Sequence, residues 1–339
     1  MAAVKRAAAM MAIGAALAVA PAPAAAWIEP PPYEIPGHGI ATCLRDAGDG
    51  RIAVLGPLGR TTTPTDVLEI RGDGLARAGR VTLGWLDACA AAVGAGPTVM
   101  LAGPVRQRPP AREPVAVHVA ATDQVTARVG AATPAAVTSL DVAVAPSGAA
   151  VVAWTEQRPD RLGDRPARVL ASVRPAGTWR FARPTVLGRA RAMREEPLVS
   201  AGIDDDGRAT VAWRREGGRD LGVPTVDVVT SDVRGRFARP QRLARDGGAT
   251  GAPALDVAAD GRALLAFAGP GAVRAFERRP GGARFEPIRL DGAEAWWADE
   301  IAVDVADDGG AVIAWRGGRG SVGAALRAPG TGAFATEQV

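Results

Sequence analysis

Two similar stretches decide the expected fold: "GAAVVAWTE" at residues 148–156 and "GRATVAWRRE" at residues 207–216. Each begins with a glycine, continues as a short apolar run and reaches a tryptophan six residues after the glycine. The pattern recurs along the chain, with turn glycines at Gly50, Gly96, Gly148, Gly207, Gly261 and Gly309. Irregular spacings of 46 to 59 residues indicate one supersecondary unit per repeat, with insertions confined to loops.

Four of the repeats carry an aromatic residue six positions after the glycine, at Trp154, Trp213, Phe267 and Trp315. The apolar run before each aromatic is typical of a buried strand. We therefore expect these side chains to fill the packing between neighbouring units rather than to contact a ligand.

Each repeat is interpreted as four strands, which in the third repeat are "SLDVAVA", "AAVVAW", "ARVLASV" and "RFARPTVL". Six such units without a helix between them predict an all-β fold, a six-bladed β-propeller of four-stranded antiparallel blades. The second repeat fits this pattern least well. The expected blades cover about residues 39–84, 85–137, 138–195, 196–250, 251–295 and 296–339, after a proline-rich strap at residues 27–38.

The first 26 residues have the pattern of a signal peptide. Lys5 and Arg6 precede an apolar stretch at residues 7–20, and small residues lead to an expected cleavage after Ala26. We expect a secreted, extracellular monomer without a membrane span. Removing Lys5 and Arg6 lowers the formal charge from +4 to +2, so nucleic acid is not an expected partner.

Cys43 and Cys89 are the two cysteines of the chain, and each lies seven residues before a turn glycine. Exported proteins with two cysteines commonly form one disulfide, so a bridge between neighbouring inner strands is predicted. The alternative is two separate buried thiols, since equivalent positions need not point at each other.

The turn between the third and fourth strands resembles the Asp-box of sialidase-like propellers, roughly S-x-D-x-G-x-T-W. "SVRPAGTW" at residues 172–179 matches Ser172, Thr178 and Trp179, with Arg174 in the aspartate position. "TSDVRGRF" at residues 230–237 matches at Thr230 and Asp232 and ends on an aromatic residue. The resemblance covers about two of six repeats and implies a similar architecture, because Asp-boxes are structural turns far from a catalytic centre.

No motif for catalysis is visible in the sequence. A sialidase needs a tyrosine nucleophile, and the single tyrosine, Tyr33, precedes the first repeat. His38 and His118 are the only histidines, too few for a typical zinc site. "DDDG" at residues 204–207 and "DDGG" at residues 307–310 are interpreted as tight turns rather than calcium loops. We expect no catalytic residue, no metal and no cofactor.

A ligand site is predicted at the face that carries the connections between blades and the loops joining second to third strands, because these 2–3 loops vary most in length. Tryptophans at this face suit stacking on a sugar or holding a peptide, and arginines suit anionic groups. The alternatives are tryptophans that plug gaps between blades and loops that are simply solvated. The predicted ligand-binding residues are Trp85, Trp296, Trp297, Asp299, Arg161, Arg165, Arg215 and Arg219.

These observations favour a non-catalytic binding module, not an enzyme, with a carbohydrate or protein ligand. The alternative function is a sialidase-like glycan hydrolase or lyase with an unrecognised pair of carboxylates.

Overall fold

A computed structural model gives the fold. It describes residues 43–46, 52–55, 65–71, 74–81, 85–86, 90–93, 99–106, 115–121, 124–133, 136–157, 165–178, 180–192, 199–215, 225–243, 251–292, 298, 300–317 and 321–338. Side chains are described for Val129 and, with gaps, from Ser139 onward. Every regular element in this part of the chain is a β-strand.

The described strands form six antiparallel sheets in chain order, numbered here as sheets 1 to 6. Sheet 1 contains β1 (Cys43–Asp46), β2 (Ile52–Leu55), β3 (Thr65–Arg71) and β4 (Gly74–Val81). Sheet 2 contains β5 (Trp85–Leu86), β6 (Ala90–Val93), β7 (Val99–Arg106), β8 (Val115–Ala121) and β9 (Gln124–Thr133). Sheet 3 contains β10 (Ala136–Val144), β11 (Ala150–Gln157), β12 (Arg165–Arg174) and β13 (Thr185–Ala192).

The last three sheets repeat the simple order of sheet 3. Sheet 4 contains β14 (Val199–Ile203), β15 (Ala209–Arg215), β16 (Thr225–Thr230) and β17 (Gln241–Arg242). Sheet 5 contains β18 (Ala254–Val257), β19 (Ala263–Gly269), β20 (Ala272–Arg278) and β21 (Glu286–Ile288). Sheet 6 contains β22 (Glu300–Val305), β23 (Ala311–Arg316), β24 (Val322–Arg327) and β25 (Ala335–Gln338). The all-β prediction and the four-strand unit are confirmed for sheets 1 and 3 to 6.

Sheet 2 departs from the expected four strands. Both β5 and β6 pair with β7, with Trp85 opposite Arg106 and Ala90 opposite Ala102. The uniform four-strand prediction is therefore wrong for the second repeat, because β7 is long enough to pair with two short segments in succession.

The turns between first and second strands lie at the predicted glycines. Gly148, Gly207, Gly261 and Gly309 have φ angles of 82°, 81°, 86° and 83°. A positive φ of this size is costly for residues with a side chain, which explains why these turns carry glycine.

The sheets pack side by side in chain order, with contacts from β1 to β6, β6 to β10, β10 to β14, β14 to β18 and β18 to β22. The four aromatics predicted as core residues lie in the gaps between sheets. Trp213 is buried in a cluster with β11 and β12 of sheet 3, and Trp315 in one with β19 of sheet 5. Their core role is confirmed, and each of these two side chains faces the preceding sheet.

Aspartates cap the free edges of the first strands. A first strand has a neighbour on one side only, so some of its backbone N–H groups are left unpaired by the sheet. Asp141 accepts the N–H of Ala201 at 2.8 Å, and Asp256 accepts the N–H of Val305 at 2.8 Å. These bonds tie the first strand of one sheet to that of the next.

Candidate functional site

The two ends of the sheets differ in chemistry. We call the end where second strands lead into third strands the 2–3 edge. The opposite end carries the turns between first and second strands and between third and fourth strands, and we call it the 1–2 edge. The predicted ligand site lies on the 2–3 edge. Among the described residues, Asp141, Glu156, Asp204, Asp227 and Asp304 are the buried carboxylates. Of these, Glu156 and Asp227 lie at the 2–3 edge.

Asp227 is held between two arginines near the start of β16. Its side chain is 8% exposed, with Arg242 Nε at 3.2 Å from Oδ1 and Arg215 Nη1 at 3.6 Å from Oδ2. Asp227 pairs across the strands with Trp213, which faces sheet 3. The carboxylate therefore points into the gap between sheets 3 and 4, while both guanidinium groups are partly open to solvent.

Glu156 forms a comparable group near the end of β11. It is buried, and its Oε1 accepts the indole N–H of Trp154 at 3.2 Å. Its Oε2 accepts a hydrogen bond from Arg168, the residue opposite it on β12. Trp154 packs with Val129 of sheet 2, so Glu156 faces the gap between sheets 2 and 3. Glu156 and Asp227 thus lie at the same edge but in adjacent gaps.

The sequence pattern does not single out these two acids, because buried carboxylates are rare and strand patterns lead one to expect them at the surface. A usable signal exists in the strand period. Glu156 lies two residues after Trp154, and side chains two apart in a strand share a face.

The predicted ligand residues are only partly within the described chain. Arg215 ends β15, is half-buried and contacts Asp227. Trp85 begins β5 and Arg165 begins β12, but nothing further is described of their side chains. The other members lie outside the described residues: Trp296, Trp297, Asp299, Arg161 and Arg219. Cys43 begins β1 and Cys89 lies outside the described residues, so their disulfide stays a prediction.

The 1–2 edge carries a repeated arginine clamp. Arg174, Arg278 and Arg327 end the third strands of sheets 3, 5 and 6 and are buried. Each donates to the carbonyl of the turn glycine in its own sheet, at 2.7, 3.0 and 2.8 Å. Each guanidinium also lies over a phenylalanine of the same repeat, at 6.0, 5.7 and 4.9 Å. The clamp holds the two hairpin turns of a sheet together.

Two of these clamps reach the preceding sheet. Arg327 forms two hydrogen bonds with Glu277 of sheet 5, at 2.9 and 2.7 Å. Burial acts to raise the pKa of Glu277, but hydrogen bonds and charge from Arg327, and then from Arg262, outweigh it and lower the pKa. Arg278 instead reaches the hydroxyls of Thr210 and Thr230 in sheet 4. This edge is therefore built for cohesion between sheets.

Asp204 lies beside the Arg278 clamp. Its Oδ1 accepts the N–H of Arg208 at 2.8 Å, and its buried Oδ2 accepts no hydrogen bond from the described residues. Burial raises the pKa of Asp204, against the lowering influence of Arg208 and Arg278. The nearby Asp205 and Asp206 follow in the predicted tight turn, whose backbone closes from Gly207 N–H to the Asp204 carbonyl at 3.0 Å.

The 1–2 edge has a small cavity, and the described residues form no site for a metal ion. Among them, no group of three or more potential ligand residues is arranged to hold a metal ion. A cavity of about 80 Å³ lies between sheets 3 and 4, against Val173, Asp205 and Arg234. Small-molecule sites usually enclose ~300 Å³ or more.

In the described segments, no helix is long and apolar enough to cross a bilayer.

No protein-family model matches the chain, and no curated protein sequence matches it. Solved structures similar to it include the alpha-L-arabinanase of Penicillium chrysogenum complexed with arabinobiose, with 13% identity, 83% of this chain and 90% of that chain covered, and a TM-score of 0.47. The polysaccharide lyase Uly1 has 10% identity, 89% and 81% coverage, and a TM-score of 0.49. The six-bladed β-propeller lectin of Aleuria aurantia has 10% identity, 87% and 93% coverage, and a TM-score of 0.45.

These similarities bear on two predictions. The resemblance to β-propeller proteins holds for the fold. The prediction of a non-catalytic binding module is wrong, and so is the prediction that the chain is not an enzyme, because an arabinanase and a polysaccharide lyase stand among the similar structures. The reaction of this chain is not inferred from them, since such identities and TM-scores relate the folds alone.

Proposed function

We propose that the protein is a glycan-cleaving enzyme, a hydrolase or lyase, that acts at the 2–3 edge. The observation that carries the proposal is the pair of buried carboxylates at this edge, Glu156 and Asp227, on adjacent sheets. Glu156 is held by one arginine and Asp227 by two, and all three arginine side chains are partly exposed.

The chemistry of glycan cleavage explains why such groups matter. A hydrolase adds water across the glycosidic bond and commonly uses two carboxylates, one as acid and one as base or nucleophile. A lyase instead removes a proton beside a carboxylate of the sugar and eliminates the leaving oxygen.

Arginine also supports the choice of substrate. The guanidinium groups of Arg168, Arg215 and Arg242 extend from the buried acids toward solvent, with side-chain exposures of 33%, 41% and 45%. Such groups can bind the hydroxyls or the acidic groups of a sugar while still holding the catalytic carboxylate.

The residues predicted from the sequence enter this proposal as substrate contacts. Trp85, Trp296 and Trp297 would stack on sugar rings, and Asp299 would accept hydrogen bonds from their hydroxyls. The arginines of the two long loops and their borders complete the set: Arg161, Arg165, Arg215 and Arg219.

Finer features of the architecture belong to the same proposal. The six sheets would close as a six-bladed ring with blade boundaries as predicted from the repeats. The turn similarity to sialidase-like propellers would then reflect this shared architecture. The chain would act outside the cell after removal of residues 1–26, with Cys43 bonded to Cys89.

The test is an activity screen of the full chain on arabinan, a neutral polysaccharide, and polygalacturonate, an acidic one. New reducing ends without ultraviolet absorbance indicate hydrolysis, and reducing ends with the absorbance of an unsaturated product indicate elimination. Glu156→Gln and Asp227→Asn keep size and remove charge. Loss of an acid–base residue typically costs ~10²–10⁴-fold in rate.

Glu300→Gln is the matched control. Glu300 lies at the same edge of sheet 6, but its side chain is 73% exposed and its contact with Arg316 is 3.5 Å. We expect the control to retain the wild-type rate while at least one of the two buried variants loses it. Wild-type protein that cleaves neither polymer, or buried variants as active as the control, would contradict the proposal.

A further inference from the structure

A row of exposed arginines lies on the 1–2 edge, at the opposite end of the sheets from Glu156 and Asp227. It follows the turns between third and fourth strands and the segments that lead into the fourth strands. We call it the arginine row, and its members are Arg180, Arg183, Arg234, Arg236, Arg239, Arg279 and Arg284.

The repeat explains why these side chains point outward. Arg180, Arg236 and Arg284 each precede a phenylalanine in an extended segment. Phe181 and Phe285 lie under the buried guanidinium groups of the clamps. Side chains alternate between the two faces of an extended chain, so a phenylalanine turned inward places the preceding residue in solvent.

Most of the row has no acidic partner. Arg236 pairs with Asp232, with side-chain exposures of 73% and 37%. For the other six, no carboxylate of the described residues lies within ion-pair distance. Glu286 follows Arg284 by two residues and is the exposed acid of the same segment in sheet 5.

Among sheets 3 to 6, whose side chains the structure describes, the row is confined to sheets 3 to 5. In sheet 6 the residue before Phe334 is Ala333, which is exposed, and its turn carries no arginine after Arg327. A chain that simply contains much arginine would scatter it over all repeats. Recurrence at one repeat position, on three consecutive sheets, indicates a ligand that extends across them.

We propose that the arginine row binds an acidic polysaccharide, an extended chain of uronic acids lying along the edge of sheets 3, 4 and 5. The guanidinium fork matches a carboxylate in shape and charge, and one arginine per sheet at a fixed position suits a polymer with regularly spaced carboxylates. The surface does not rest on the proposed function, because it lies on the opposite edge and needs no cleavage.

Two other polyanions fit the row less well. Peripheral membrane binding adds large apolar side chains that enter the bilayer, whereas the exposed large apolar side chains of the described chain are Val186 and Val233 alone. Single-stranded nucleic acid is held by aromatic rings on which bases stack, but the phenylalanines of this segment are turned inward. Carboxylates on a sugar chain need neither feature.

The test is binding of the full chain to immobilised polygalacturonate, with dextran as the neutral polymer. The triple variant Arg180→Gln, Arg236→Gln, Arg284→Gln removes one arginine per sheet. The matched triple variant is Arg208→Gln, Arg289→Gln, Arg316→Gln. It removes the same charge, but its three arginines lie outside the row and each pairs with an acid. Thermal unfolding shows that each variant is folded.

A gain-of-function variant gives a result that misfolding cannot explain. Ala333→Arg extends the row to sheet 6 at an exposed position. We expect the row variant to bind about tenfold more weakly, the matched variant to bind nearly as wild type, and Ala333→Arg to bind roughly two- to fivefold more tightly, as expected for exposed ion pairs. Binding should weaken as salt increases.

Several results would overturn the inference. The inference fails if wild-type protein does not bind polygalacturonate. It also fails if the two triple variants lose equal affinity for polygalacturonate. Equal or tighter binding to phosphatidylglycerol vesicles or to single-stranded DNA would assign the row to another polyanion. Failure of this surface would leave the cleavage assay unaffected, so the two proposals are tested separately.

Discussion

Replacing Arg327 by methionine should destabilise the protein far more than removing an exposed arginine. Arg327 is buried and binds Glu277 of sheet 5 through two hydrogen bonds. It also donates to the Gly309 carbonyl at 2.8 Å and lies over Phe334 at 4.9 Å. Methionine keeps much of the side-chain volume but removes the charge and every one of these hydrogen bonds.

The expected loss follows from what remains around Glu277. Removing one partner of a buried ion pair costs about 3–5 kcal/mol, because the other charge stays buried. The Glu277 side chain is 15% exposed and keeps Arg262 at 3.1 Å, which places the expected loss near ~3 kcal/mol. Arg289→Met is the control, because the Arg289–Asp291 contact is short, at 2.6 Å, but its side chains are 87% and 76% exposed. Exposed pairs contribute about 0–1 kcal/mol.

Urea unfolding followed by tryptophan fluorescence measures both losses. Glu277→Gln and the double variant complete a double-mutant cycle, whose coupling energy isolates the pair. The lowered pKa of Glu277 means that its stabilising contribution is present above its pKa in the unfolded chain and is lost as pH falls through the folded pKa. The difference between wild type and Arg327→Met should therefore shrink below about pH 4. An Arg327→Met loss no larger than that of Arg289→Met would refute the reasoning.

Two further predictions concern the gaps between sheets. Gly188→Ala should lower the free energy of unfolding by about 1–3 kcal/mol, because the added Cβ would lie 2.9 Å from Cζ2 of Trp213. An unchanged midpoint of urea unfolding would contradict this close contact. Burial raises the pKa of Asp204 in the folded protein. Wild type therefore loses stability as pH rises from the pKa of Asp204 in the unfolded chain through its pKa in the folded protein. Asp204→Asn should remove this loss and so flatten the pH dependence of stability. Parallel stability profiles of wild type and Asp204→Asn between about pH 4 and neutral pH would show that this carboxyl does not titrate as argued.

Local features of the fold could be predicted from the sequence, and long-range pairs could not. Turn glycines such as Gly207 and aromatics such as Trp213 follow from the strand period and from the demand for a positive φ. The bond between Arg327 and Glu277 joins residues 50 positions apart and depends on how sheets 5 and 6 are rotated against each other. No periodicity within one repeat encodes that rotation.

The candidate site shows the same division. The sequence points to the loops between second and third strands, and Arg215 from the predicted set contacts a buried acid. The acid itself, Asp227, is not singled out, because a carboxylate in a strand is expected at the surface unless its partners are known. Those partners come from β15 and β17, and their approach is fixed only when the strands pair.

The turns between third and fourth strands are held in different ways in sheets 3 and 4. In sheet 4, Asp232 accepts the backbone N–H groups of Arg234 and Arg236, both at 2.9 Å, and so fixes its turn from within. In sheet 3, Arg174 lies opposite Ala150, two residues after the turn glycine, which in sheet 4 is the place of Ser231 and not of Asp232. The Arg174 guanidinium donates to the Gly148 carbonyl of the neighbouring turn. A carboxylate satisfies free donors and a guanidinium satisfies free acceptors, so each stabilises a different part of the same edge. The Arg174 contact ties two turns together, whereas Asp232 fixes one turn, and in both sheets the residue before the phenylalanine, Arg180 or Arg236, faces solvent as part of the arginine row.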